Sequence, residues 1–171
     1  MRMTNISRRS FVTRSAMGLV LATPISVFAQ TAAPQQPVPK RPDPLAPAMV
    51  NDFVRKAHSD LSATKAMLAE QPALLNATWD WGGGDFETGL GGAGHMGNHE
   101  IAEFLIGQGA RLDIFVASML GRLDIVRAML GAWPGLLESK GPHGITLLRH
   151  ARAGGEQSKG VVDYLESLGA K

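Results

Sequence analysis

The segment SDLSATKAMLAEQPALLN (Ser59–Asn76) recurs 62 residues later as GRLDIVRAMLGAWPGLLE (Gly121–Glu138), with no gap over eighteen positions. Both copies contain a leucine, an Ala-Met-Leu triplet, a proline and a Leu-Leu pair at the same places. A gapless internal match is typical of repeat proteins, in which one supersecondary unit is stacked several times. Because the offset is about twice the length of a helical-pair repeat, we expect a further unit between the two copies.

The stretch between the copies has a regular set of small, aliphatic and glycine positions, at Thr88, Leu90, Ala93, Gly97, Ile101, Leu105, Gly109 and Ala110. At these positions it resembles the ankyrin repeat, whose pattern has a Thr-Pro-Leu-His start, a turn glycine, an aliphatic pair, Leu-Leu and Gly-Ala. A last unit matches at Thr146, Leu148, Ala151, Gly155, Val161, Val162, Leu165, Gly169 and Ala170. The resemblance implies an all-α fold, an ankyrin-repeat solenoid of about four short helix-turn-helix units over residues 48–171.

The turn glycines predict where paired helices meet. Gly97, Gly121 and Gly155 stand between paired helical segments, where a tight turn requires positive φ. Gly97 and Gly121 are only 24 residues apart, which is shorter than an ankyrin unit of about 33 residues. We therefore expect residues 111–113 to lack the usual hairpin, and residues 79–86 to form the one long loop of this region.

The first 29 residues contain four arginines, no acidic residue and a mostly apolar run, which is the pattern of a secretory signal. This segment resembles the bacterial twin-arginine signal at Ser7, Arg8, Arg9 and Phe11. The resemblance implies export to the periplasm or secretion, with cleavage between Ala29 and Gln30. A basic tail without a targeting role is the alternative, and retention of the signal as an anchor stays open. We expect no stable span after cleavage, because a spanning helix needs about 20 apolar residues.

Composition excludes several classes of function. The segment 30–47 is rich in proline and is predicted to be a disordered linker. Without the leader, the chain has 13 basic and 15 acidic residues and a net charge of −2, so we expect no nucleic-acid partner. The absence of cysteine excludes disulfide bonds and a thiolate nucleophile.

The loop between the first two units has an unusual aromatic content. Its candidate partner-binding residues are Trp79, Asp80, Trp81, Asp85 and Phe86. Aromatic side chains on a loop provide a large contact area at small entropic cost, which favours a protein-binding role. The alternative is that these side chains fold back and cover the apolar end of a short stack. The two aspartates lack the rigid support that an acid–base pair requires.

His95 and His99 are spaced like two metal ligands on one helix face. Because Gly97 is a predicted turn, we expect the two histidines on different helices and predict no metal site. His143 and Arg149 are interpreted as turn and loop residues. Both are kept with His95 and Arg111 as candidate partner-binding positions.

Residues 89–94 satisfy the Gly-x-Gly-x-x-Gly dinucleotide fingerprint. That motif is meaningful only after a β-strand that leads into a helix N-terminus. We expect no apolar strand before it, and the repeat alignment places these glycines inside a helix. The sequence therefore does not predict nucleotide binding.

These observations lead to one functional prediction and one alternative. We expect a non-enzymatic, monomeric protein without a cofactor that binds an unknown protein partner in the periplasm. The basis is the ankyrin resemblance and the absence of any recognisable catalytic set. The alternative is a small-ligand- or metal-binding protein, or an enzyme, that uses the loop Trp79–Phe86 with His95 and His99.

Overall fold

A computed structural model of the chain describes residues 41–171. The twin-arginine motif, the cleavage site and most of the linker lie outside the described residues. Within the described part, no helix has both the length and the apolar character needed to cross a membrane. Residues 41–46 have no regular secondary structure, and the first helix begins at Pro47. Proline is well suited to this place, because its fixed φ matches the first turn of a helix.

The described residues are mostly helical. Their eight α-helices are α1 (Pro47–Lys56), α2 (Leu61–Glu70), α3 (Gly89–His95), α4 (His99–Gly107), α5 (Ile114–Met119), α6 (Leu123–Ala132), α7 (Leu147–Ala153) and α8 (Lys159–Ser167). Short 3₁₀ helices cover Pro72–Asn76, Pro134–Glu138, Pro142–Gly144 and Gly155–Ser158. A single antiparallel hairpin is formed by β1 (Thr78–Asp80) and β2 (Phe86–Thr88). These elements confirm the predicted all-α class.

The odd-numbered helices form one row. α1 contacts α3, α3 contacts α5, and α5 contacts α7, so these four helices pack side by side in chain order. On the other side, α2 contacts α4 and α6 contacts α8. The buried apolar side chains form two clusters, one around Phe53, Leu90 and Leu105 and one around Leu147 and Leu165. No single helix pair can bury its own apolar face, so this packing between neighbours provides the core.

The two copies of the sequence repeat have the same local structure. α2 and its 3₁₀ helix span Leu61–Glu70 and Pro72–Asn76, and α6 with its 3₁₀ helix spans Leu123–Ala132 and Pro134–Glu138. All four boundaries are displaced by the same 62 residues. In both copies the 3₁₀ helix starts at the shared proline, whose fixed φ suits the first turn of a helix.

The predicted turn glycines are confirmed. Gly97, Gly121 and Gly155 have φ values of 69°, 69° and 64°. This left-handed region strongly favours glycine, since other residues meet a steric clash with their Cβ atom there. Gly97 separates α3 from α4, so His95 and His99 do lie on different helices, as expected.

The connections between units are unequal. Residues 79–86 form most of a β-hairpin rather than an irregular loop. The glycines of its turn have positive φ, and Asp80 Oδ1 accepts hydrogen bonds from the N–H groups of Gly82 and Gly84. Between α4 and α5 there is no strand, and the side chain of Asp113 caps the start of α5. The predicted absence of a hairpin at residues 111–113 is thus confirmed.

The glycine motif of residues 89–94 lies inside α3 and is buried. A strand does precede it, because β2 leads directly into α3, although its sequence Phe-Glu-Thr is not the apolar strand that the dinucleotide motif requires. This strand belongs to a two-stranded hairpin, and the glycines allow close packing. A Cβ atom on Gly92 would lie 2.7 Å from the ring of His58, and one on Gly94 would lie 2.8 Å from Val116. The glycines at these two positions are therefore explained by the close packing of α3 against its neighbours.

Candidate metal centre

Four side chains from four separate segments meet beside the hairpin. They are His58 after α1, Glu87 in β2, His95 at the end of α3, and His143 in the 3₁₀ turn before α7. One potential ligand atom from each residue lies within 4.8 Å of the corresponding atom of every other. Histidine nitrogen and carboxylate oxygen are ligands that first-row transition metals accept. We call these four residues the His/Glu cluster.

Glu87 is the buried centre of the cluster. Its side chain has no solvent exposure, and its Oε2 accepts a hydrogen bond of 2.8 Å from the indole N–H of Trp81. Its Oε1 lies 2.9 Å from His95 Nε2, but no donor among residues 41–171 forms a well-aligned hydrogen bond to it. A buried carboxylate oxygen without such a partner is costly, so this atom is suited to a cation.

Glu87 is expected to be ionised at neutral pH. Burial raises the pKa of its carboxyl group, but the close approach of His95, the Trp81 hydrogen bond and the charge of His58 lower it. The combined effect is a pKa below the usual value for glutamate. The cluster therefore contains a carboxylate rather than a neutral acid.

Two of the histidines are held so that Nε2 faces the cluster. Nδ1 of His58 lies 2.7 Å from the carbonyl oxygen of Val54, which can only accept, so Nδ1 donates. Nδ1 of His143 lies 2.7 Å from Asp85 Oδ2 and donates in the same way. In the neutral form of imidazole, which has one donor and one acceptor nitrogen, both Nε2 atoms carry a lone pair that a metal ion can accept. Carbonyl and carboxylate partners of this kind are typical around metal-binding histidines.

Asp85 fixes His143 through the backbone as well. The N–H of His143 donates to Asp85 Oδ1 at 2.8 Å, and this bond is the main reason why the pKa of Asp85 is lowered. His143 has a φ of 58° and is the one residue other than glycine with positive φ among residues 41–171. The two contacts to Asp85 hold this uncommon backbone conformation and direct the ring toward Glu87.

The distances within the cluster suit a small ion. His58 Nε2 lies 3.1 Å from His95 Nε2 and 3.5 Å from Glu87 Oε2, and His143 Nε2 lies 3.5 Å from the same oxygen. Ligands at about 2.0–2.1 Å from a tetrahedral zinc ion are separated by about 3.3–3.4 Å. These separations, together with 2.9 Å between Glu87 Oε1 and His95 Nε2, lie on both sides of that value, and the two oxygens of Glu87 face different histidines.

Among the residues chosen from the sequence, the structure brings some together and separates others. His95 and His143 belong to the cluster, Trp81 and Asp85 support it, and His99 does not, because its Nε2 contacts the carbonyl oxygen of Gly154 at 2.9 Å. The predicted absence of a metal site considered His95 and His99 together with the neighbouring Glu100 and Glu103. The structure assembles a different set.

The other chosen residues have separate positions. Trp79 is half-buried against the core, whereas Phe86 is 60% exposed. Asp80 accepts a hydrogen bond from a backbone N–H group of the hairpin turn. The backbone N–H of Arg111 donates to the side chain of Asn76. Arg149 is exposed at a groove near the C-terminus. The aromatic loop thus combines the two alternatives, with one side chain folded back and another facing solvent.

His58 and Glu87 were not selected from the sequence. His58 follows α1 and His95 ends α3, so both lie at the C-terminal end of a helix in the row of odd-numbered helices. Each histidine also comes directly after a small residue, Ala57 or Gly94. That shared position was a usable signal. Glu87 offered none, since a lone glutamate in a hairpin is usually solvated. No protein-family model, curated protein or solved structure was found to match this chain.

Proposed function

We propose that this protein binds one divalent transition-metal ion through His58, Glu87, His95 and His143. The carrying observation is a fully buried glutamate whose two oxygens have histidine Nε2 atoms at 2.9–3.5 Å. An ion pair that only neutralises the Glu87 carboxylate would need a single histidine. Three histidines around one carboxylate, with two of them oriented by carbonyl or carboxylate acceptors, are better explained by an ion between them.

The ligand set favours particular metals. Imidazole nitrogen suits zinc, copper and nickel, whereas magnesium and calcium take oxygen ligands almost exclusively. With three nitrogens and one carboxylate, the cluster should therefore take Zn²⁺ in preference to Mg²⁺ or Ca²⁺. The ion would lie near the surface on one side, because the side chains of His58 and His143 are 20% and 34% exposed.

The test is a zinc titration of the chelator-stripped chain by calorimetry. We expect one ion per chain with sub-micromolar affinity, and a loss of about 100-fold or more in Glu87→Gln, which removes a ligand charge but keeps the shape. His99→Ala is the matched control, since His99 is a neighbouring histidine outside the cluster. Absence of stoichiometric binding, or equal losses in both variants, would contradict the proposal.

A second proposed function is partner binding by an exported ankyrin-type repeat protein. It is supported by the row of helices α1, α3, α5 and α7, by the turn glycines and by the exposed ring of Phe86 at a groove of about 270 Å³. In this proposal the chain is non-enzymatic and reaches the periplasm through its twin-arginine leader. Affinity capture from periplasmic extract is the test, and a partner retained equally by Phe86→Ala would exclude this surface.

A further inference from the structure

Trp81 contacts most of the His/Glu cluster, although tryptophan is not a metal ligand. Its indole N–H donates to Glu87 Oε2 at 2.8 Å. Its ring meets the ring of His58 edge-on at 6.5 Å between centroids and that of His143 at 5.9 Å. The guanidinium group of Arg55 lies over the same indole, 4.8 Å from its centroid. These contacts hold the ring as a wall of the site.

The hydrogen bond makes the two oxygens of Glu87 unequal. Oε2 accepts from the indole N–H and lies 3.5 Å from the Nε2 atoms of His58 and His143. Oε1 has no well-aligned donor among the described residues and lies 2.9 Å from His95 Nε2, so Oε1 is the oxygen left for an ion. A carboxylate that coordinates a metal through both oxygens would have to share Oε2 between the ion and the indole. The indole N–H takes one of the two lone pairs of Oε2 and fixes the rotation of the carboxylate group, which disfavours symmetrical coordination through both oxygens.

We propose that Trp81 is a positioning residue that restricts Glu87 to a single coordinating oxygen and so holds the metal site in four-coordinate geometry. The inference rests on the proposed metal binding and adds its coordination number and its selectivity. One carboxylate oxygen and three imidazole nitrogens make a tetrahedral set, which zinc favours. Metals that require six ligands would be disfavoured, since the protein would then supply too few.

The experiment compares the chain with Trp81→Phe, which keeps an aromatic ring and removes the N–H donor. Cobalt(II) is the probe, because its visible absorption is intense in four-coordinate and weak in six-coordinate sites. We expect an intense spectrum for the unsubstituted chain and a clearly weaker one for Trp81→Phe. The zinc affinity of the variant should fall about tenfold, as is usual when a residue that orients a ligand is lost.

Trp79→Phe is the matched control, since Trp79 is in the same hairpin and packs against the core. It should leave both the cobalt spectrum and the zinc affinity unchanged. If Trp81→Phe binds cobalt with the original spectrum and zinc with the original affinity, the positioning role is overturned while metal binding stands. If the unsubstituted chain binds neither ion, the proposed function itself fails.

A second measurement does not depend on the folding of Trp81→Phe. In a chain carrying Trp79→Phe and Trp133→Phe, Trp81 is the sole tryptophan. Zinc titration of this chain should shift the indole emission and saturate at one equivalent, because the ion binds the carboxylate to which the indole donates. Binding detected by calorimetry without any change in emission would contradict the inference.

Discussion

The segments Ser59–Asn76 and Gly121–Glu138 have the same order of helices, but each is followed by a different kind of buried ionisable residue. After the first segment comes Glu87, which is ionised and surrounded by three histidines. After the second comes His150, which is 1% exposed and whose Nε2 has no hydrogen-bond partner among residues 41–171. The sequence repeat therefore determines the backbone conformation. The charge state of a buried ionisable side chain depends instead on which side chains from other segments lie next to it.

The two copies also differ inside. Leu74 is 1% exposed in the core, while Leu136 at the same place of the second copy is only half-buried. Ser59 at the start of the first copy corresponds to Gly121, and φ is positive at Gly121 but not at Ser59. The helices α2 and α6 are thus equivalent, but the turns that precede them differ in backbone conformation. This difference can be tested.

The largest effect is expected at Gly121. A Cβ atom there would lie 2.1 Å from the carbonyl oxygen of Gln157, and the residue would also adopt the unfavourable positive φ. Gly121→Ala should therefore reduce the free energy of unfolding by about 3 kcal/mol, the sum of backbone strain and overpacking. Urea unfolding followed by circular dichroism measures this change.

Two control variants separate the effect of backbone strain from the effect of overpacking at Gly121. Gly155→Ala has the same sign of φ but open space around the added atom, so a loss of about 1 kcal/mol is expected from strain alone. Ser59→Ala, at the corresponding turn of the first copy, should change stability by less than about 0.5 kcal/mol. Equal losses at Gly121 and Ser59 would show that the two turns are equivalent after all.

A smaller effect concerns the ionisable residue that follows the second copy. Burial lowers the pKa of His150, because the charged imidazolium is poorly solvated there. Below the ordinary histidine pKa of about 6.5, the unfolded chain takes up a proton that the folded chain does not. Stability contributed by neutral His150 is therefore present above that pH and is lost as the pH falls through it, until the lower folded pKa is reached.

His150→Gln removes this titration. In the presence of chelator, the variant should lose less stability than the unsubstituted chain between pH 7 and pH 5.5, by at most about 1.4 kcal/mol per pH unit. Because the other four histidines are present in both proteins, the difference between the two urea-unfolding profiles isolates His150. Parallel profiles would mean that His150 is protonated as readily in the folded protein as in the unfolded one.

Much of the helical framework was predictable because its signals are local. Gly97, Gly121 and Gly155 occur where a turn needs positive φ, and this property belongs to the residue itself. The short spacing between Gly97 and Gly121 also predicted the missing hairpin. The hairpin of residues 78–88 was expected only as a loop, because two strands of three residues are too short to show alternation.

The candidate site was predictable only in part. His95 and His143 were selected, but as partner-binding residues rather than as members of one cluster. Asp85 and His143 are 58 residues apart, and no local pattern indicates that the turn at Pro142–Gly144 reaches the hairpin. Glu87 looked like a solvated residue, since nothing near it in the chain shows that three histidines would surround it.

The sequence by itself determined the repeated helix pairs, the turns between them and the unequal connections, because these features follow from backbone preferences and apolar spacing over a few residues. Only the tertiary structure decided which polar side chains meet. The row of α1, α3, α5 and α7 brings His58, Glu87, His95 and His143 together from across 86 residues of chain. The physical reason is that burial and charge pairing depend on distance in space, which chain-local preferences do not encode.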